Sequence, residues 1–133
     1  MFFRTTRIIN ITMARVIPIM RIFDYAKTIQ FYIDWLGFDI VWEHKPEGNP
    51  VYMRIAKDDA VIDLSEHHGD SSPGTRITIT DFKGIKAYHA QLIAREYKYM
   101  KPGLERASWN PDVLLMTVID PFHNSIVFEE STQ

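Results

Sequence analysis

Apolar and polar positions organise this chain into two similar halves. Residues 15–22 are rich in Val and Ile and read as a strand. Asp24 follows as a helix N-cap. Ile29, Tyr32, Ile33 and Leu36 then recur at the i, i+3, i+4, i+7 spacing of an amphipathic helix over 25–36. Gly37 suits the position just past its C-terminus. Three strands are predicted next. Strand 38–44 carries Phe38, Ile40 and Trp42 on one face. Strands 51–56 and 60–66 form a hairpin about the tight turn Lys57-Asp58-Asp59.

A polar loop over 67–73 ends the first half, and the pattern begins again. Residues 75–80 read as a strand, Asp81 as a cap, and 83–95 as a helix with Ile85, Tyr88, His89, Leu92 and Ile93 on one face. Residues 97–104 make a poor strand, interrupted by Pro102-Gly103. Strand 113–119 is strong, Asp120-Pro121 starts a turn, and 125–129 is the last strand. A strand–helix–three-strand unit used twice gives an α+β fold of eight strands and two helices, with modules of about 14–68 and 74–131. A helix covers one face of each sheet. The other face must meet a partner or curl around a cavity.

Composition narrows the function classes. A chain of 133 residues suits one domain, expected here over 14–133. The absence of cysteine excludes thiol nucleophiles, cysteine zinc sites and iron–sulfur clusters, and fits a cytoplasmic setting. The net charge of −2, without a basic run, argues against nucleic acid as a partner. No apolar run approaches the roughly 20 residues that span a bilayer, so no membrane partner is expected. Residues 1–13 are read as an N-terminal extension with Met13 as an alternative start. The other reading of that segment is an extra edge strand over 7–12.

Several stretches carry a family resemblance. The run from Ile19 through Asp24, Phe31-Tyr32 and Leu36-Gly37-Phe38 resembles the opening of vicinal oxygen chelate proteins, the superfamily of glyoxalase I, extradiol dioxygenases and bleomycin-resistance proteins. Asp120-Pro121-Phe122-His123-Asn124 resembles the family's Asp-Pro-x-Gly-Asn hairpin, with His123 in place of Gly. The stretch 64–74 resembles the bleomycin-resistance branch. The resemblance implies the glyoxalase/bleomycin-resistance fold: two βαβββ modules whose mixed sheets curl around a cavity. It also implies a homodimer that shares each groove between two chains.

Metal-dependent relatives hold their ion with His or Glu at four strand positions. Carried over residue by residue, these fall on Ile17, Asp63, Arg76 and Val127, of which only Asp63 can bind a cation. No metal, no cofactor and no catalytic residue is therefore expected. Asp63 and Arg76, each in phase with the concave side of its strand, are expected to form an ion pair there. Trp42 and Tyr52, on adjacent strands, suit an aromatic platform. Glu66 and His67 are expected on the rim, and Trp109, in an irregular segment between two strands, is expected to line the groove. His89 is expected as a satisfied core residue and Trp35 as packing. The resulting reading is a metal-free small-molecule binder that sequesters a bleomycin-type antibiotic. The alternatives are a divalent-metal lyase, isomerase or dioxygenase of the same superfamily, or a binder of another physiological ligand.

Overall fold

The Val- and Ile-rich segments pair as two four-stranded sheets. A computed structural model describes residues 13–48 and 50–132. The predicted extension or edge strand over 1–12 lies outside them. The first sheet contains β1 (Ile19–Arg21), β2 (Asp39–His44), β3 (Tyr52–Lys57) and β4 (Ala60–Ser65) in the order β1-β4-β3-β2. The second contains β5 (Arg76–Ile79), β6 (Leu104–Arg106), β7 (Val113–Ile119) and β8 (Ser125–Ser131) in the order β5-β8-β7-β6. Each sheet has one parallel pair, β1 with β4 and β5 with β8, and antiparallel pairs elsewhere. The predicted doubled unit is therefore present, with the same strand order in both halves.

The first helix differs from its prediction in pitch. Asp24 caps α1 (Tyr25–Thr28) by accepting from the Lys27 N–H at 2.9 Å. The helix then widens into a π-helical stretch (Ile29–Trp35), closed by a Leu36 N–H to Phe31 carbonyl bond of 2.9 Å. The wider turn rotates the buried face to Thr28, Phe31, Tyr32, Trp35 and Leu36, and leaves Ile29 and Ile33 half-buried. Trp35 packs as expected, donating from Nε1 to the Leu92 carbonyl at 3.0 Å.

The second helix, α2 (Ile85–Ala94), starts later than the pattern predicts. Asp81 is not its cap. Gly84 holds the N-cap position at φ 81°, and the cap comes from β8: Glu130 accepts from the Gly84 and Ile85 N–H groups at 3.2 and 2.9 Å. A carboxylate there also meets the positive end of the helix dipole. Ile93, expected on the buried face, is exposed, while His89 bonds the Pro102 carbonyl at 2.9 Å. Residues 97–103 form no strand, because Pro102 has no N–H to donate to a ladder. Tyr97 instead stacks on Trp35 at 4.8 Å between centroids.

The two halves share one apolar core and are joined at a buried carboxylate. Tyr88 donates to the Leu36 carbonyl at 2.6 Å, and Arg95 to the Trp35 carbonyl, so α2 satisfies the end of the first helix. Asp120, in the β7–β8 turn, accepts the Tyr32 hydroxyl at 2.7 Å, the Asn124 amide at 2.9 Å, and the Phe122 and Asn124 N–H groups at 2.8 Å. Asn124 also donates to the Arg21 carbonyl at 2.7 Å and accepts the Thr75 N–H at 3.1 Å. In the same turn His123 sits at φ 71°, a left-handed conformation that costs a side-chain-bearing residue energy. No helix among the described residues is long and apolar enough to cross a membrane.

Two outcomes follow. Burial pushes the Asp120 carboxyl above its ordinary 3.8, and the bonds from Asn124 and Tyr32 oppose that shift. Because the folded value exceeds the unfolded one, this group's contribution to stability falls as pH rises through that window. Tyr32→Phe removes a bond to the ionised form and widens the window. It should cost about 1.5–3 kcal/mol at pH 7 and less near pH 4, measured by denaturant unfolding at both values. His123→Gly relieves the left-handed strain at the expense of a more flexible unfolded chain. It should stabilise the fold by about 0.5–1 kcal/mol, measured in the same way.

Candidate functional site

The outer face of the first sheet is set by strand register. Residues directly opposite one another on neighbouring strands share a face. Ile19, Asp63, Arg54 and Trp42 make one row across β1, β4, β3 and β2, and Arg21, Ser65, Tyr52 and His44 make the next. Met20, Leu64, Met53 and Ile55, in the alternate positions, are fully buried against the helices. Simple alternation places Phe38, Ile40 and Trp42 together, but the register shifts between Ile40 and Trp42. Val41 is the extra residue of a β-bulge. Ile40 stays opposite the buried Ile55, whereas Trp42 crosses to the face of Arg54 and Tyr52.

That crossing assembles an aromatic and charged cluster. Trp42 and Tyr52 stack with centroids 5.7 Å apart and planes 14° from parallel. The Arg54 guanidinium carbon lies 5.3 Å from the Trp42 centroid. Asp63 is 3% exposed, and both its oxygens are engaged. Arg54 donates through Nε to Oδ1 at 2.7 Å and through Nη2 to Oδ2 at 3.1 Å, and Tyr52 donates its hydroxyl to Oδ2 at 2.5 Å. Burial, then the hydrogen bond to Asp63 and its charge, push the Tyr52 phenol up to about 12. The hydrogen bond to Asp63 likewise raises Arg54, keeping it charged. A groove of about 940 Å³ runs along this face, with Ile17, Val41, Arg54, Ala56 and Val61 in its wall.

The other expected site residues are distributed more widely. The predicted Asp63–Arg76 ion pair does not form. Arg54 lies directly opposite Asp63 on the neighbouring strand and takes the carboxylate, while Arg76 is exposed on β5 of the other sheet. Glu66 accepts the Val51 N–H at 3.0 Å and so anchors the start of β3. His67 is half-buried, its backbone N–H donating to Ser65 Oγ at 3.0 Å. Trp109 is 67% exposed between β6 and β7, in the sheet that does not carry the Trp42–Tyr52 pair. Arg54 is the residue sequence reasoning missed, yet a signal for it existed. A two-residue turn at Asp58-Asp59 pairs Lys57 with Ala60, and counting back pairs Arg54 with Asp63.

The residues at the family's metal positions do not fit an ion. Ile17 and Val127 have no donor atom, Arg76 is cationic, and Asp63 is held by Arg54 and Tyr52. Among the described residues no group of three or more His, Asp or Glu is placed to share a metal. The cluster can instead stack a flat ring and offer hydrogen bonds from the free edge of Arg54. Asp63→Asn should lower the Tyr52 phenol from about 12 towards its ordinary 10.0, since the charge and a strong acceptor are removed while burial remains. Spectrophotometric titration of wild type and variant, each against a Tyr52→Phe control, measures the change.

A family model described as glyoxalase superfamily protein matches residues 3–133. A search of curated proteins finds no match. A bleomycin resistance determinant encoded on the transposon Tn5 superimposes with a TM-score of 0.68 at 16% identity, covering 91% of this chain and 100% of that one. A bleomycin-binding protein complexed with bleomycin gives 0.66 at 17% identity, covering 90% and 99%. A glyoxalase family protein from Enterococcus faecalis gives 0.61 at 16% identity, covering 90% and 97%. At such identities the structural matches establish a common fold. Together with the family model over nearly the whole sequence, they show that this chain belongs to the glyoxalase superfamily.

Proposed function

We propose that this chain is a small-molecule binding protein that holds a flat aromatic ligand on the Trp42–Tyr52 face without metal chemistry. The observation that carries the reading is the cluster itself. A part-exposed Trp–Tyr stack flanks Arg54, a residue of the groove wall, and the Arg54–Asp63 pair fixes the rings and leaves one edge of Arg54 available. Stacking and a preformed cleft are what ligand pockets of this size use. Because Asp63 is already paired, its charge is balanced within the protein, so stacking supplies most of the affinity.

The narrower reading is sequestration of a bleomycin-type antibiotic. Two of the structural neighbours are a bleomycin-binding protein and a bleomycin resistance determinant, and their fold is shared here. A flat heteroaromatic tail suits the Trp42–Tyr52 platform, and sequestration needs no reacting group. In this reading two copies associate, and Trp109 of the second copy closes the groove that the first leaves open. The exposed apolar side chains Val16, Val41 and Trp109 are consistent with such an interface.

Titration of bleomycin into the metal-stripped protein, followed by tryptophan fluorescence, tests both levels. Saturable quenching with one drug per chain and sub-micromolar affinity, about −8 kcal/mol, is expected for sequestration. It should be at least tenfold weaker in Trp42→Ala and Trp109→Ala, and the protein should sediment as a dimer. Absence of binding at high micromolar drug removes the antibiotic. The general reading then stands only if another planar aromatic quenches Trp42 saturably.

A further inference from the structure

A second cavity, of about 560 Å³, shares no lining residue with the groove on the Trp42–Tyr52 face. It opens between the first helix, the segment after α2 and the β7–β8 turn. Its wall includes Lys27, Tyr97, Tyr99, Met100, Ile119 and His123. Three features distinguish it from a surface dimple. The wall combines two aromatic rings with Met100 and Ile119, and Ile119 and Tyr99 are open to solvent at 46% and 70%. Apolar side chains left exposed around a concave volume are what a ligand would cover.

The second feature is charge. Among the described residues, neither the Lys27 ammonium nor the His123 imidazole has a hydrogen-bond or ion-pair partner. The acid in the wall is Asp120, which is 5% exposed, and both its oxygens already accept bonds from Tyr32, Phe122 and Asn124. The cavity therefore offers two unmatched donors and no free acceptor of like strength. The third feature is that His123 is held at φ 71° in the turn position where the resembling hairpin has glycine. A strained side chain that lines a cavity is a reason to look for a function there.

We propose that this cavity is a second binding site, for a small aromatic carboxylate. The ring lies against Tyr97, Tyr99 and Met100, and the carboxylate meets Lys27 and His123. A carboxylate matches the two donors and a ring matches the apolar wall, and the cavity is of the size that small ligands fill. The site shares no residue with the Trp42–Tyr52 face and does not depend on the function proposed for it.

Calorimetric titration with 1-naphthoate, compared with neutral 1-naphthalenemethanol, tests the assignment. Saturable binding of naphthoate is expected, with the alcohol at least tenfold weaker. The titrations are run in the Trp42→Ala background, which removes the stacking platform of the other face, and there Lys27→Gln and His123→Gly should each weaken naphthoate at least fivefold. His123→Gly serves as the folding control, since it is expected to raise stability while lowering affinity. The proposal is overturned if, in that background, naphthoate does not saturate by millimolar concentration, if acid and alcohol bind alike, or if neither wall variant changes affinity.

Discussion

The structure turns on a single buried carboxylate. Asp120 would be costly in the interior without partners, and it receives four, one of them from the other half of the chain. Its neighbour Asn124 extends the node to the Arg21 carbonyl and the Thr75 N–H. One turn of five residues thus connects the first helix, β1 and the start of β5. Removing any member would leave a desolvated polar group, so the halves are held in one relative position by satisfaction of hydrogen bonds as well as by apolar packing.

Fixing the halves in that way decides which surfaces remain for ligands. The helix-facing sides of both sheets merge into one core, and the helices satisfy each other's ends through Trp35, Tyr88 and Arg95. The outer face of the first sheet is left with polar and aromatic side chains. There the Arg54–Asp63 pair performs the same task locally that Asp120 performs globally. A nearly buried charge is balanced by a bidentate partner, and the aromatic stack is built around it. The pair and Tyr52 leave neither Asp63 oxygen free of a hydrogen bond.

Local irregularities stand beside a cavity in both halves. The bulge at Val41 moves one tryptophan from the helix side of a strand to the outer face, a change no propensity scale registers. The left-handed His123 introduces a donor into a turn where glycine would be easier to accommodate. In each case one residue departs from the regular pattern beside a cavity, as expected when binding surfaces are built on an otherwise consistent scaffold.

Much of this was legible in the sequence. The period-2 and helical apolar patterns placed seven of the eight strands and two helices, because side-chain burial on a strand or helix is a local, repeating consequence of backbone geometry; the strand expected over 97–104 is instead the short β6 at Leu104–Arg106. Asp24 as a cap, Gly37 as a helix stop and the turn at Lys57-Asp58-Asp59 followed from short-range chemistry, and Trp42 and Tyr52 were placed on adjacent strands, though the bulge at Val41 decided that they share a face. What only the tertiary structure decided depends on distant residues. Glu130 caps α2 from 46 positions beyond Gly84, so the helix start could not be read locally. The π-helical widening, which leaves Ile29 and Ile33 only half-buried, was not in the helical spacing. The partner of Asp63 was set by which strand lies beside β4, and Arg54 prevailed over Arg76 because cross-strand neighbours meet at hydrogen-bond distance while Arg76 belongs to the other sheet. Sequence determines which residues can be buried or paired; the relative placement of the elements determines which of them are.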